Sequence, residues 1–124
     1  VQFRPANSYE DFVQGLRPSP AGGFELVSGC FLEFCRRAER FHPHPCALII
    51  DELNHANLPR VVGEVMSLLE YHERPLPLAG GGPPFSIPDN VYLIGTMNTA
   101  NRSIALVDQA LRRRFAFFRL HPDP

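Results

Sequence analysis

Three stretches of this chain carry side chains that could do chemistry. Asp51 and Glu52 are adjacent carboxylates that follow the apolar run C-A-L-I-I at Cys46 to Ile50. Such a run fits a strand buried on both faces, and acids at its carboxyl end lie where open α/β sheets hold ligands. There Asp51 would hold Mg²⁺, mostly through its waters, and Glu52 would orient an attacking water or take its proton. Thr96, Met97, Asn98 and Thr99 follow a second apolar run, V-Y-L-I-G at Val91 to Gly95. Asn98 is a polar candidate at that strand end, while Thr96 and Thr99 read as structural. The third stretch is Arg112-Arg113-Arg114, a run of planar, always-charged groups at the end of a helical pattern. Each stretch also has an ordinary reading. The acids fit a solvated turn, Asn98 fits a side chain that satisfies backbone groups, and the arginines fit the negative end of a helix dipole.

Composition narrows the choice. At 124 residues, 44% hydrophobic and 20% charged, the chain is one globular domain or part of one. The net charge of −1 sets up no global field for nucleic acid or anionic membrane. With no apolar run of about 18 residues and no leader pattern, the chain reads as cytoplasmic and free of membrane. All 12 basic residues are arginine, so a G-x-x-x-x-G-K-[ST] phosphate loop is impossible within these residues. Val1 in place of Met reads as the start of a piece of a longer protein. Three cysteines without a C-x-x-C pair read as reduced thiols. Cys35, His42, His44 and Cys46 lack the usual spacing of zinc ligands and read as the loop into the buried strand.

The elements that must position these groups follow from the pattern of apolar residues. Val1 to Arg4 reads as a strand and Pro5 to Ser8 as a turn. Ser8 can cap a short helix over Tyr9 to Leu16, with Glu10 and Asp11 in its first turn. Arg17 to Gly23 is a Pro- and Gly-rich loop, and Phe24 to Val27 a minor strand. Cys30, Phe31, Phe34, Cys35, Ala38 and Phe41 recur at helical spacing, which predicts a helix from Gly29 to Arg40. The prolines from His42 to Pro45 end it. After the acids, Asn57 can cap a helix running to Tyr71. Arg74 to Asn90 is proline-rich around Gly80-Gly81-Gly82 and suggests a projecting hairpin or long loop. Ile104 to Arg113 reads as an amphipathic helix and Phe115 to Leu120 as a last strand. Phe31, Phe34, Phe115 and Phe117 read as core. The alternation of strands and helices implies α/β architecture with a parallel sheet, its two polar strand ends side by side.

Five segments together resemble the McrB-type AAA+ proteins, the NTP-driven motors of methylcytosine-specific restriction systems. D-E-L-N at Asp51 to Asn54 resembles the family's D-E-I-N-R Walker B motif. G-T-M-N-T-A-N-R-S at Gly95 to Ser103 resembles its M-N-T-A-D-R-S signature. V-D-Q-A-L-R-R-R-F at Val107 to Phe115 resembles its D-x-A-L-R-R-R-F arginine-finger helix. F-R-P-A-N-S-Y-E-D-F-V-Q-G-L near the start and F-S-I-P-D-N-V-Y-L-I-G before the signature match two further family segments.

The resemblance implies a P-loop NTPase fold, a three-layer sandwich of which residues 1–124 would be a partial AAA+ core. That core would run from the second strand through Walker B, sensor 1 and the arginine-finger helix to the fifth strand. The first strand, its phosphate loop and the helical lid would be missing. It implies Mg²⁺ as cofactor, held by Asp51, and GTP or ATP as substrate. Glu52 resembles the residue that activates water, and Asn98 the sensor-1 residue that contacts the γ-phosphate or the lytic water. Arg113 and Arg114 match the finger pair that reaches into a neighbouring subunit, and Arg102 another signature arginine. Two positions depart from the pattern. Asn101 replaces the signature Asp, removing a charge beside the lytic water, and His55 replaces the Arg of D-E-I-N-R.

The implied parent is an oligomeric NTPase, a hexameric ring, coupled to a nuclease subunit and reaching DNA through other domains. The isolated chain is expected to be inactive, and poorly stable or self-associating, because its sheet would lack an edge partner. A non-hydrolysing AAA+ scaffold is the alternative of a different class. Direct sequence-specific DNA binding fits poorly with the net charge and the lack of a basic stripe.

Overall fold

The computed structural model of the chain describes residues 9–53, 63–71, 74–98 and 113–123. The strand expected at Val1 to Arg4, the first turns of the helix expected from Asn57 and the helix expected from Ile104 lie outside the described residues.

The helical spacing after Gly29 produces the helix α2, Cys30–Arg40, which buries Phe31, Leu32, Cys35 and Ala38 on one face. Glu33 in its first turn and Arg37 and Arg40 in its last complement the dipole. The amide of Phe41 closes the helix on the Ala38 carbonyl at 3.0 Å. Gly29 is the entry point because nothing larger fits. A Cβ there would stand 2.4 Å from the carbonyl carbon of Phe12, whose short helix α1 spans Tyr9–Phe12.

The chain between those helices departs from expectation. The helix expected to reach Leu16 stops at Phe12, and Gln14–Pro18 forms the strand β1. It pairs antiparallel with β2, Phe24–Ser28, in the register Gln14↔Ser28 to Pro18↔Phe24. Tyr9, Phe12, Val13 and Leu16 match a helical repeat, but Gly15 lets the chain double back across Glu10. A Cβ at 15 would lie 2.5 Å from that of Glu10. The turn between β1 and β2 uses Gly22 and Gly23 at φ 97° and 71°, values that glycine adopts without cost.

The second sheet is parallel, as expected. β3, Cys46–Ile50, pairs with β4, Val91–Gly95, in the register Cys46↔Val91 through Ile50↔Gly95. The helix α3, Gly63–Glu70, lies between them in sequence and buries Val65 and Leu68. Leu48 and Ile50 join Phe12, Phe31, Leu32 and Leu78 in the core. Phe31 stacks on Phe12 at 5.4 Å and meets Phe85 edge-on at 6.4 Å.

Three expectations need correction here. The β3–β4 sheet is covered on one face only among the described residues. Strand alternation sends Ile49, Tyr92 and Ile94 to the other face, where they are half-exposed. Phe115 to Leu120 forms no strand, since an extended segment needs a partner edge and no described residue pairs with it. Phe118 and Leu120 are 88% and 93% exposed. Of the aromatics expected in the core, Phe31 is buried and Phe34 and Phe115 pack against it, but Phe117 is half-exposed. The Arg74 to Asn90 segment is a long loop closed by one antiparallel bridge, Leu76↔Phe85. No helix among the described residues is long and apolar enough to cross a membrane.

Candidate functional site

The parallel register sets Ile50 beside Gly95, so the residues that leave the two strands leave them together. Asp51 and Glu52 from β3 thereby stand against Thr96 from β4. Backbone bonds carry the pairing past the strand ends: Thr96 N–H donates to Ile50 O, and Leu53 N–H to Thr96 O, both at 2.9 Å.

Side-chain bonds tighten the same junction. The amide of Glu52 donates to Thr96 Oγ1 at 3.1 Å. The Thr96 hydroxyl in turn donates to Asp51 Oδ1. Asp51 is exposed, Glu52 half-buried and Leu53 buried, so the turn is pinned by Leu53 and presents its acids outward. Glu52 has a φ of 56°, the left-handed region that costs a non-glycine residue about 1–2 kcal/mol. Strain of this kind concentrates at functional sites, where the surroundings over-determine it. Here the bonds at Glu52 N and Leu53 N hold it.

Asn98, exposed, lies two residues past Thr96 on the same strand extension. The two finger candidates differ from one another. Arg113 is exposed. Arg114 pairs with Glu70 at the end of α3, Nη2 to Oε2 at 2.5 Å, with its side chain 23% exposed. Arg102, together with Asn101 and His55, lies outside the described residues.

Asp51 fits a magnesium ion chemically. It offers a hard, exposed carboxylate at a strand end, the donor type that Mg²⁺ accepts while keeping most of its water. The arrangement can therefore hold a hydrated cation beside a carboxylate base. A structural reading of Thr96 missed the residue that joins both acids. The available signal was its place as the first polar residue after β4, opposite the first acid after β3.

The chain matches a known family. The sequence model of the AAA domain, dynein-related subfamily, matches residues 1–115, and the chain belongs to that family. It therefore has the α/β fold of P-loop NTPases. Within the family the chain is of the McrB type. It is 47% identical over 129 aligned residues to the type IV methyl-directed restriction enzyme EcoKMcrB subunit of Escherichia coli K12, covering 98% of this chain and 28% of that relative. It is 24% identical over 128 residues to the type II restriction enzyme BsuMI component YdiS of Bacillus subtilis 168, covering 90% of this chain and 37% of that relative. The chain thus spans well under half the length of these relatives.

Proposed function

We propose that the protein containing this chain hydrolyses GTP or ATP in an oligomeric ring and drives a McrBC-like DNA restriction system with a nuclease subunit. The observation that carries this reading is the junction at the strand ends, where Thr96 ties Asp51 and Glu52 together beside Asn98. In this reading Asp51 holds Mg²⁺ through its waters, and the ion neutralises phosphate charge when bound. Glu52 orients the attacking water and accepts its proton. Asn98 positions the γ-phosphate or that water. Arg113 and Arg114 form the finger pair offered to a neighbouring subunit, with Arg102 on the nucleotide side. Guanidinium groups suit the spread charge of phosphoryl transfer and can contribute ~10³ to 10⁵ in rate. Since Arg114 is held by Glu70 within its own chain while Arg113 is exposed, Arg113 is the finger candidate open to a neighbour.

Asn101, in place of the acid in the signature, favours one second reading, a non-hydrolysing scaffold that assembles without turnover. Steady-state hydrolysis by the full-length protein, with GTP and ATP compared with and without Mg²⁺, separates the two. Mg²⁺-dependent turnover of either nucleotide supports the motor. Absence of turnover with both, even with the nuclease subunit added, supports the scaffold.

A further inference from the structure

We infer that Thr96 is a positioning residue that sets the geometry of Asp51 and Glu52 together through a single hydroxyl. The inference rests on the hydrolytic reading above and adds a residue to it.

The direction of the bonds is fixed by chemistry. Oγ1 accepts the Glu52 N–H at 3.1 Å. Ionised Asp51 has no proton to give, so the Thr96 hydroxyl proton goes to its Oδ1. One side chain on β4 is thus both acceptor for the backbone that carries the base and donor to the carboxylate that holds the metal. The backbone of Thr96 adds bonds to Ile50 O and from Leu53 N, which bracket the same turn on both sides. The Glu52 backbone is held at a φ of 56°, which needs outside support to persist. The bond from Glu52 N to Thr96 supplies part of that support. Oδ1 of Asp51 is committed to Thr96, which restricts the rotamer of the carboxylate. Partners of this type orient metal-holding carboxylates, and their loss costs about 10–100-fold in metal affinity or activity.

The test compares the full-length protein with T96V, which keeps the shape and removes the hydroxyl, and T96S, which keeps the hydroxyl and removes a methyl. Two quantities are read: the Mg²⁺ concentration for half-maximal nucleotide binding, and turnover. T96V is expected to need more Mg²⁺ and to lose about 10–100-fold in turnover, while T96S stays close to wild type in both. Wild-type behaviour of T96V overturns the proposal. So does T96S impaired as severely as T96V, since packing of the methyl would then be what matters. Should T96V not fold, T96A replaces it in the contrast with T96S, and equal behaviour of those two overturns the proposal. A wild-type protein that does not turn over nucleotide contradicts the hydrolytic reading, and the Mg²⁺ requirement of binding still decides the role of Thr96.

Discussion

Gly95 lies directly against Leu53: a Cβ built at 95 would stand 1.9 Å from Leu53 Cδ1 and 3.3 Å from its Cγ. Leu53 is 4% exposed and ends the turn that carries Asp51 and Glu52. The last residue of β4 therefore has no side chain so that the acid turn from β3 can seat its anchor. Replacing Gly95 by Ala forces Leu53 to another rotamer in a packed site, an overpacking cost of typically 1–3 kcal/mol. G95A is expected to lower the Tm of the full-length protein and to reduce turnover more than nucleotide binding, because the displaced anchor belongs to the acids. Differential scanning calorimetry and hydrolysis assays read the two effects, and an unchanged Tm contradicts the packing argument.

Asn90 is a second anchor, at the opposite end of β4. It is 5% exposed, and its Nδ2 donates to Ala38 O at 2.7 Å and His44 O at 2.8 Å. Its own carbonyl accepts from Cys46 N at 2.8 Å, so it joins the end of α2 and the start of both strands. N90L removes the donor from two carbonyls and should destabilise the protein by about 1–3 kcal/mol. N90D replaces the donor with a carboxylate facing the same two carbonyls and should be worse than N90L at pH 7. Denaturant unfolding of the three proteins checks the order; N90D equal to wild type is the contrary result.

Cys35 bears on pH dependence. It is fully buried, and burial foremost, with Glu39 adding to it, pushes its thiol up from 9.0 to about 12. The unfolded chain releases this proton above pH 9 while the folded chain keeps it to about 12. The unfolded state then binds fewer protons, so stability that is complete below pH 9 falls as pH rises toward 12. The slope from this group is about 1.4 kcal/mol per pH unit at most. C35A should flatten that part of the stability profile. Native-state alkylation read by mass spectrometry should leave Cys35 unlabelled at pH 8, and rapid labelling there contradicts the burial argument.

Much of this was legible from residue types, because the parallel strands and α2 are strongly patterned. C-A-L-I-I and V-Y-L-I-G are short apolar runs ending in polar residues, and both became neighbouring strands with their polar ends together. The β1–β2 hairpin was not legible in full. Phe12, Val13 and Leu16 suit a helix as well as a strand over so short a window, and the pairing with β2 decided the matter. The last strand failed because a strand exists only with its partner, which periodicity cannot supply. Within the site the acids were visible as types. The left-handed backbone of Glu52 and the double role of Thr96 arise from the junction of two strands and leave no local mark.

The arginines can be separated by their partners. Arg113 is exposed, whereas Arg114 is paired with Glu70, itself half-exposed, an interaction worth up to about 1 kcal/mol. R113A in the assembled full-length protein should lose turnover by ~10³ or more while keeping nucleotide binding. E70Q should lower Tm slightly and leave turnover in place. Mixing R113A subunits with E52Q subunits should recover some turnover, since a finger acting across subunits completes the site of its neighbour. No recovery in mixtures that still assemble contradicts action in trans.

The turn after β3 is proposed to be a hydrolytic site, and E52Q in the full-length protein tests this most directly. Gln keeps the size and one acceptor oxygen of Glu52 but cannot accept the proton of an attacking water. Binding of Mg²⁺ and nucleotide should persist near the wild-type level while turnover of GTP and ATP is abolished. Turnover equal to wild type would show that Glu52 is a solvated acid at the end of a strand, and that the chemistry lies elsewhere.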